Sequence, residues 1–263
     1  MNAKIPIALT IAGLDPSGGA GLQEDIKVFT ELGVHGISVA TAVTVQSSFG
    51  LRTVEPVRPE IVSEQLKCLL EDREPKAAKT GILTNQSLAP VIDFLKQTSV
   101  PVIVDPVFAS GTGFILADSN IVEVYRTEVI PHSVLVTPNV PELQSLLGMS
   151  ITSSVYFEGA ARKLIDMGAK AVLIKGGHTE EDEVVDLFYT KTQARRFVKP
   201  RRNLKRVHGT GCALSAAIVA YLVRGATLLD AVASAEAYID RKLADVLYAG
   251  EGAPIINHLK SVS

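Results

Sequence analysis

His208-Gly209-Thr210-Gly211-Cys212-Ala213-Leu214-Ser215-Ala216-Ala217 runs straight into Ile218, Tyr221 and Leu222. A loop of glycines and small polar residues becomes a helix there, marked by apolar residues at three- and four-residue spacing. The first amides of such a helix have no intrahelical partners, and its dipole adds about half a positive charge at that end. Glycines let a phosphate approach the backbone, so the stretch reads as an anion-binding turn. Cys212 lies in the same field, which is expected to lower its thiol pKa toward neutrality. The plainer alternative is a tight turn followed by a small buried apolar residue.

Outward from this turn, the rest of the chain alternates strand and helix. Ile5 to Ile11 is a short β-branched run feeding the loop Ala12-Gly13-Leu14-Asp15-Pro16-Ser17-Gly18-Gly19-Ala20-Gly21. Leu22, Ile26, Phe29 and Leu32 then repeat at helical spacing, and Gly33 closes the helix. The loop imitates a P-loop, but Gly19 stands where that motif needs lysine, and neither that motif nor the dinucleotide fingerprint is present. A second strand is expected over Ile37 to Val43, leaving through a polar loop, Thr44 to Gly50, that carries Gln46. Further strands are expected at Ala77 to Gly81, Val100 to Val104, Val134 to Val136 and Ala171 to Ile174, with helices between them. Val184 to Tyr189 and Arg195 to Val198 read as an antiparallel pair, and two last helices span Gly211 to Val223 and Leu228 to Leu247. This rhythm predicts an α/β fold, a three-layer sandwich around a mainly parallel sheet.

Composition narrows the partners. The 263 residues suit one domain, 1–263, and 47% hydrophobic with 21% charged residues describes a globular chain. A net charge of −2 gives no footprint for nucleic acid. Cys68 and Cys212 are far apart, without the clustering of a disulfide framework or zinc site, which suits a reducing cytoplasm. Met1 to Pro6 shows no long apolar h-region before a cleavage site, so export is not expected, and no apolar run approaches the roughly 18 residues of a membrane span. The expectation is a cytoplasmic protein without a membrane partner. The basic stretch Arg195 to Arg206 reads first as a solvated face and second as a phosphate attractor.

Strand ends gather candidate chemistry at the carboxyl edge of the sheet, where open α/β folds bind ligands. The candidates are the Gly13 to Gly21 loop, Gln46, Asp105, Asn139 with Glu142, Lys175 and the Gly209 to Cys212 turn. Asn139 and Glu142 also fit a plain helix cap with its capping box. Phosphoryl transfer uses such parts, because the protein mainly positions groups and neutralises charge. Asp105 and Glu142 are hard oxygen ligands suited to Mg2+, while Lys175 and the turn amides suit phosphate charge.

With these motifs in this order, the chain resembles the hydroxymethylpyrimidine and hydroxymethylpyrimidine-phosphate kinases of thiamine synthesis, in the ribokinase-like superfamily. The resemblance rests on residues 12–25, Val104-Asp105-Pro106-Val107, Thr137-Pro138-Asn139-Val140-Pro141-Glu142, Lys175-Gly176-Gly177-His178 and His208-Gly209-Thr210-Gly211-Cys212. It implies an ATP- and Mg2+-dependent kinase that phosphorylates the hydroxymethyl group of the pyrimidine and then the monophosphate. It also implies a dimer or other homo-oligomer. Carried onto this chain, the pyrimidine pocket falls on Gly13, Asp25 and Gln46, whose amide suits an aminopyrimidine edge. By its helix position alone, Asp25 also fits a solvated surface carboxylate. The metal and phosphate region falls on Glu142 and Asp105, and the nucleotide side on Thr137, Asn139, Lys175 and Gly209, Thr210 and Gly211. Cys212 takes the place of the superfamily's aspartate base, as thiolate base or as a group that positions the hydroxyl. Two departures stand out: Ser47-Ser48 where the family often has Asn-Thr, and Phe108 to Gly113 without the lysine often found there. The second bears on the diphosphate-forming step. The nearest alternative is a vitamin B6 kinase of the same superfamily, and a further one is a non-catalytic pyrimidine-binding regulator.

Overall fold

A computed structural model describes residues 5–202 and 206–259. Met1 to Lys4, where a leader would begin, and Asn203 to Lys205 of the basic stretch lie outside the described residues.

The elements are β1 (Ile7–Leu14), α1 (Gly21–Glu31), β2 (His35–Ser47), β3 (Gly50–Pro56), α2 (Pro59–Asp72), β4 (Ala77–Thr80), α3 (Asn85–Gln97), β5 (Val102–Val104) and α4 (Ser119–Val124). They continue as β6 (Leu135–Val136), α5 (Val140–Leu147), α6 (Phe157–Asp166), β7 (Val172–Ile174), β8 (Glu183–Tyr189), β9 (Ala194–Pro200), α7 (Thr210–Val223), α8 (Leu228–Leu243), β10 (Val246–Leu247) and β11 (Ile255–Ile256). One nine-stranded sheet runs β3-β2-β1-β4-β5-β6-β7-β8-β9. Its six central strands are parallel, while β3, β8 and β9 join antiparallel at the two edges.

Side-chain alternation along the strands divides the core into two layers. Leu9 and Ile11 of β1, Val102 and Val104 of β5 and Ile174 of β7 pack with α2, α3, α5 and α6 on one face. Ala8, Ile103, Leu135 and Leu173 point the other way, against α1, α7 and α8. Every residue of α7 from Ala213 to Ala220 is buried, as expected of a helix apolar on all sides. The three-layer α/β/α sandwich with a mainly parallel sheet is therefore the observed architecture.

Two expected boundaries are corrected. The polar loop expected over Thr44 to Gly50 is instead the end of β2, which pairs with β3 in a hairpin projecting past the sheet. Val43 and Val45 alternate with Thr44 and Gln46 as a strand requires, but they are 45% and 54% exposed, so the apolar run stops looking like core at Val43. The hairpin turns at Gly50, with φ +136°. The last helix stops at Leu243 rather than Leu247. Val246–Leu247 pairs with Ile255–Ile256, a reversal that buries Ile256 beneath α7 and α8.

β1 lies between β2, the next strand in sequence, and β4, which comes after β3 and α2. The chain thus switches sides at β1, and the crevice outside the carboxyl ends of such strands is the expected ligand site.

Candidate active site

The loop after β1 and the turn before α7 meet at the switch point. Gly209 caps α7 in the left-handed region, φ +81°, and no side chain caps its amides. A Cβ on Gly209 would lie 1.8 Å from the Gly19 carbonyl oxygen, so glycine is required both by conformation and by the close approach of the two loops. Thr210 turns its hydroxyl back, donating to the Val207 carbonyl at 3.0 Å.

Gln46 overlooks this turn from β2. Its Nε2 donates to Asp15 Oδ2 at 3.2 Å and lies 2.6 Å from His208 Nε2, itself 3.0 Å from the same Asp15 oxygen. Asp15 also accepts from Ser17 and from the Ala20 amide, which folds the glycine loop around it. Burial works against the Asp15 charge, but the His208 and Ser17 hydrogen bonds outweigh it and hold the carboxyl below its ordinary range. Gly13 is buried behind this group, against Ile82.

On the far side of the turn lies a charged group. A Cβ on Gly211 would stand 3.3 Å from Lys175 Nζ and 4.0 Å from Asp105 Oδ2. Lys175 donates to Asp105 Oδ1 at 2.8 Å, joined by the Thr137 hydroxyl at 3.0 Å, and Ser215 of α7 donates to Oδ2 at 3.3 Å. Burial opposes the Lys175 charge, yet the Asp105 and Glu142 carboxylates keep it well above the ordinary lysine value. Glu142 and Asn139 form the expected capping box of α5: Asn139 Oδ1 accepts from the Glu142 amide at 2.9 Å and Glu142 Oε2 from the Asn139 amide at 2.7 Å. Glu142 is 5% exposed, and burial pushes its carboxyl up to about 7.

Burial sets the surroundings of three further candidates. Asp25 is not a solvated surface carboxylate. It is 0% exposed, with Oδ1 on Lys79 Nζ at 2.7 Å and Oδ2 on the Thr10 hydroxyl at 2.6 Å. Thr137 is likewise buried behind Asp105. Cys212 is part-exposed, but burial pushes its thiol up to about 12; Lys79 acts against that rise, while Asp25 and Asp105 act with it. The expected drop toward neutrality at the helix terminus is thus overturned: the dipole acts on a group that has lost most of its water.

Lys79, Asp15 and Arg206 were not singled out in the sequence. Lys79 had a signal, a charged residue inside the apolar strand Ala77–Thr80. It is 0% exposed and donates at 3.4 Å to the carbonyl of Cys212, tying β4 to the start of α7. Burial works against its ammonium, but the Asp25 and Asp105 charges, with the Asp25 hydrogen bond, hold it above its ordinary value. Of the basic stretch, Arg195 and Arg196 are exposed on β9, whereas Arg201 donates to the carbonyls of Glu181, Gly177 and Thr179, bracing the loop after Lys175.

Residues 15–257, from Asp15 of the glycine loop to Asn257 beyond β11, match the family described as phosphomethylpyrimidine kinase. The chain belongs to that family. The kinase, a phosphotransferase, is 39% identical over 256 residues to the hydroxymethylpyrimidine/phosphomethylpyrimidine kinase of Rhizobium meliloti, covering 96% of each chain. It is also 38% identical over 253 residues to a thiamine biosynthesis bifunctional protein of Geobacter sulfurreducens, 95% of this chain and 52% of that longer one. Among solved structures, a pyridoxal kinase of Bacillus subtilis in an ADP complex superposes with a TM-score of 0.89 at 28% identity, over 97% of this chain and 98% of that one. Among the described residues, no group of three or more His, Cys, Asp or Glu is placed to hold a metal, and no helix is long and apolar enough to cross a membrane.

Proposed function

We propose that the kinase transfers the γ-phosphoryl group of ATP to the hydroxymethyl oxygen of 4-amino-5-hydroxymethyl-2-methylpyrimidine, and then a second group to the resulting monophosphate. The supporting observation is the contact between Gln46 and His208, which sets a pyrimidine-reading amide beside the uncapped start of α7. An acceptor lying against Gln46 presents its hydroxyl to the Gly209–Cys212 amides, where negative charge develops during transfer. Lys175, beside Gly211, neutralises the phosphoryl oxygens.

Asp105 and Glu142 fit Mg2+, since both are hard oxygen donors and such an ion is held by one or two carboxylates together with waters and substrate phosphates. Held there, the ion would offset negative charge on the phosphates. Asp25 acts from behind the pocket: with Lys79 it fixes the carbonyl of Cys212 and hence the start of α7. Cys212 acts as a protonated thiol that positions the acceptor hydroxyl, because its raised pKa leaves little thiolate. Thr137 orients Asp105, and Asn139 fixes Glu142 through the capping box. The kinase acts in the cytoplasm as a homodimer.

The higher identity to the pyrimidine kinase than to the pyridoxal kinase favours the pyrimidine as acceptor. Mg-ATP consumption measured side by side with hydroxymethylpyrimidine, its monophosphate and pyridoxal tests the assignment. Turnover of both pyrimidine compounds is expected, and turnover of pyridoxal alone refutes it.

A further inference from the structure

Among the described residues, Arg206 is a cation at the site that the transfer chemistry leaves without a task. It precedes His208 by two residues and reaches solvent, yet its guanidinium crosses to the loop after β5, donating from Nη1 to the carbonyl of Gly111. A neutral carbonyl is a weak partner for a guanidinium, whose fixed fork of donors matches carboxylate or phosphate oxygens. The loop it reaches, Ser110-Gly111-Thr112-Gly113, has no charge of its own.

That loop stands between the two halves of the site. Thr112 packs against Gly50 at the tip of the β2–β3 hairpin, with Cγ2 2.7 Å from where a Cβ on Gly50 would be. The same hairpin carries Gln46. On the other side, Glu142 and His178 both feel the Arg206 charge together with that of Lys175. Arg206 therefore lies on the path between the acceptor wall and the phosphoryl-transfer turn. Lys175 is engaged by Asp105, whereas among the described residues Arg206 donates to a backbone oxygen, which it can exchange for a ligand.

We propose that Arg206 recognises the phosphate of an already phosphorylated acceptor, exchanging the Gly111 carbonyl for phosphate oxygens, and so sets the preference between the alcohol and its monophosphate. This inference rests on the proposed two-step function. The unphosphorylated alcohol has nothing for the guanidinium to bind, so the residue acts on one substrate and not on the other.

The test is steady-state kinetics of Arg206→Gln and Arg206→Lys with each acceptor at saturating Mg-ATP, together with calorimetric binding of the monophosphate without nucleotide. Loss of one charge-assisted contact at a solvent-reaching site raises KM and Kd for the monophosphate about tenfold in Arg206→Gln. Arg206→Lys restores part of that loss, because it keeps the charge but not the fork. The kcat/KM for the alcohol stays within about twofold of the unsubstituted value, since no contact to it is removed. Equal losses with both acceptors overturn the inference by making Arg206 a nucleotide-side cation, and no loss with either makes it a loop latch. Turnover of the alcohol alone by the unsubstituted kinase also overturns it. Turnover of neither acceptor refutes the underlying function instead, and the inference falls with it.

Discussion

Replacing Lys79 by methionine tests whether the buried pair under α7 is a structural strut. Lys79 and Asp25 are both 0% exposed, their charged atoms 2.7 Å apart, and the second Asp25 oxygen is taken by Thr10. Removing the ammonium leaves a carboxylate with no water and a single hydroxyl donor. Breaking a fully buried pair from one side costs about 3–5 kcal/mol, mostly as the penalty on the abandoned charge. At roughly 2–4 °C per kcal/mol for a chain near this length, the melting temperature should fall by about 6–20 °C. Thermal melting followed by far-ultraviolet circular dichroism, with urea titration as a second measure, reads this directly. The double variant Lys79→Met/Asp25→Asn removes the stranded charge and should recover at least about half of the loss, a non-additivity typical of residues in contact. A single variant melting within about 2 °C of the parent, or a double variant whose loss is the sum of both singles, refutes the reasoning.

Gly209→Ala forces a Cβ to within 1.8 Å of the Gly19 carbonyl at a positive φ, so the loops must part and the α7 amides move. A displacement of about 1 Å costs on the order of 100-fold in turnover, and retention of more than half the activity would contradict the role of these amides. His258 holds α1 and the chain end together, with Nε2 2.7 Å from Glu24 Oε1 and Nδ1 2.7 Å from Glu31 Oε2, beside Tyr238 and Lys242. Burial opposes its charge, but the Glu24 and Glu31 hydrogen bonds raise its pKa above the ordinary 6.5. A raised folded value means the stabilisation is complete below pH 6.5 and fades as pH rises through the folded pKa. Burial also raises Glu24, which adds to the loss in the same direction. Melting temperature should therefore fall on the alkaline side of pH 6.5 in the parent and stay flatter in His258→Gln; a parent flat across that range refutes the clamp. Cys212, with its thiol up at about 12, is ionised in on the order of one molecule in 10⁴ at pH 8. Cys212→Ala should then lose less than the roughly 100-fold expected of a missing general base. A kcat profile with a near-neutral ionisation present in the parent and absent in Cys212→Ala would restore the base role.

The parts of the fold that were legible in the sequence are those whose pattern is local. β1, α1 and the alternation after them follow from apolar spacing, because the central strands are covered on both faces and α1 buries one face. The end of β2 was not legible for the opposite reason: Val43 and Val45 keep strand alternation but face solvent, so apolar character no longer reports burial. The site divides in the same way. Gly209 and Gly211 stood out because backbone approach leaves a mark in residue type, and Asn139 with Glu142 because a capping box has fixed spacing. The contact of Gln46 with His208 joins residues 162 positions apart, and no spacing along the chain carries it. Cys212 shows how a sound local rule fails in three dimensions. A helix terminus lowers a thiol pKa when water still reaches the sulfur, but here burial dominates, and neither the helix end nor Lys79 from β4 offsets it. The same packing that leaves the thiol protonated holds Lys79 against the Cys212 carbonyl, so the start of α7 is positioned by buried charge while its amides stay unpaired for a ligand.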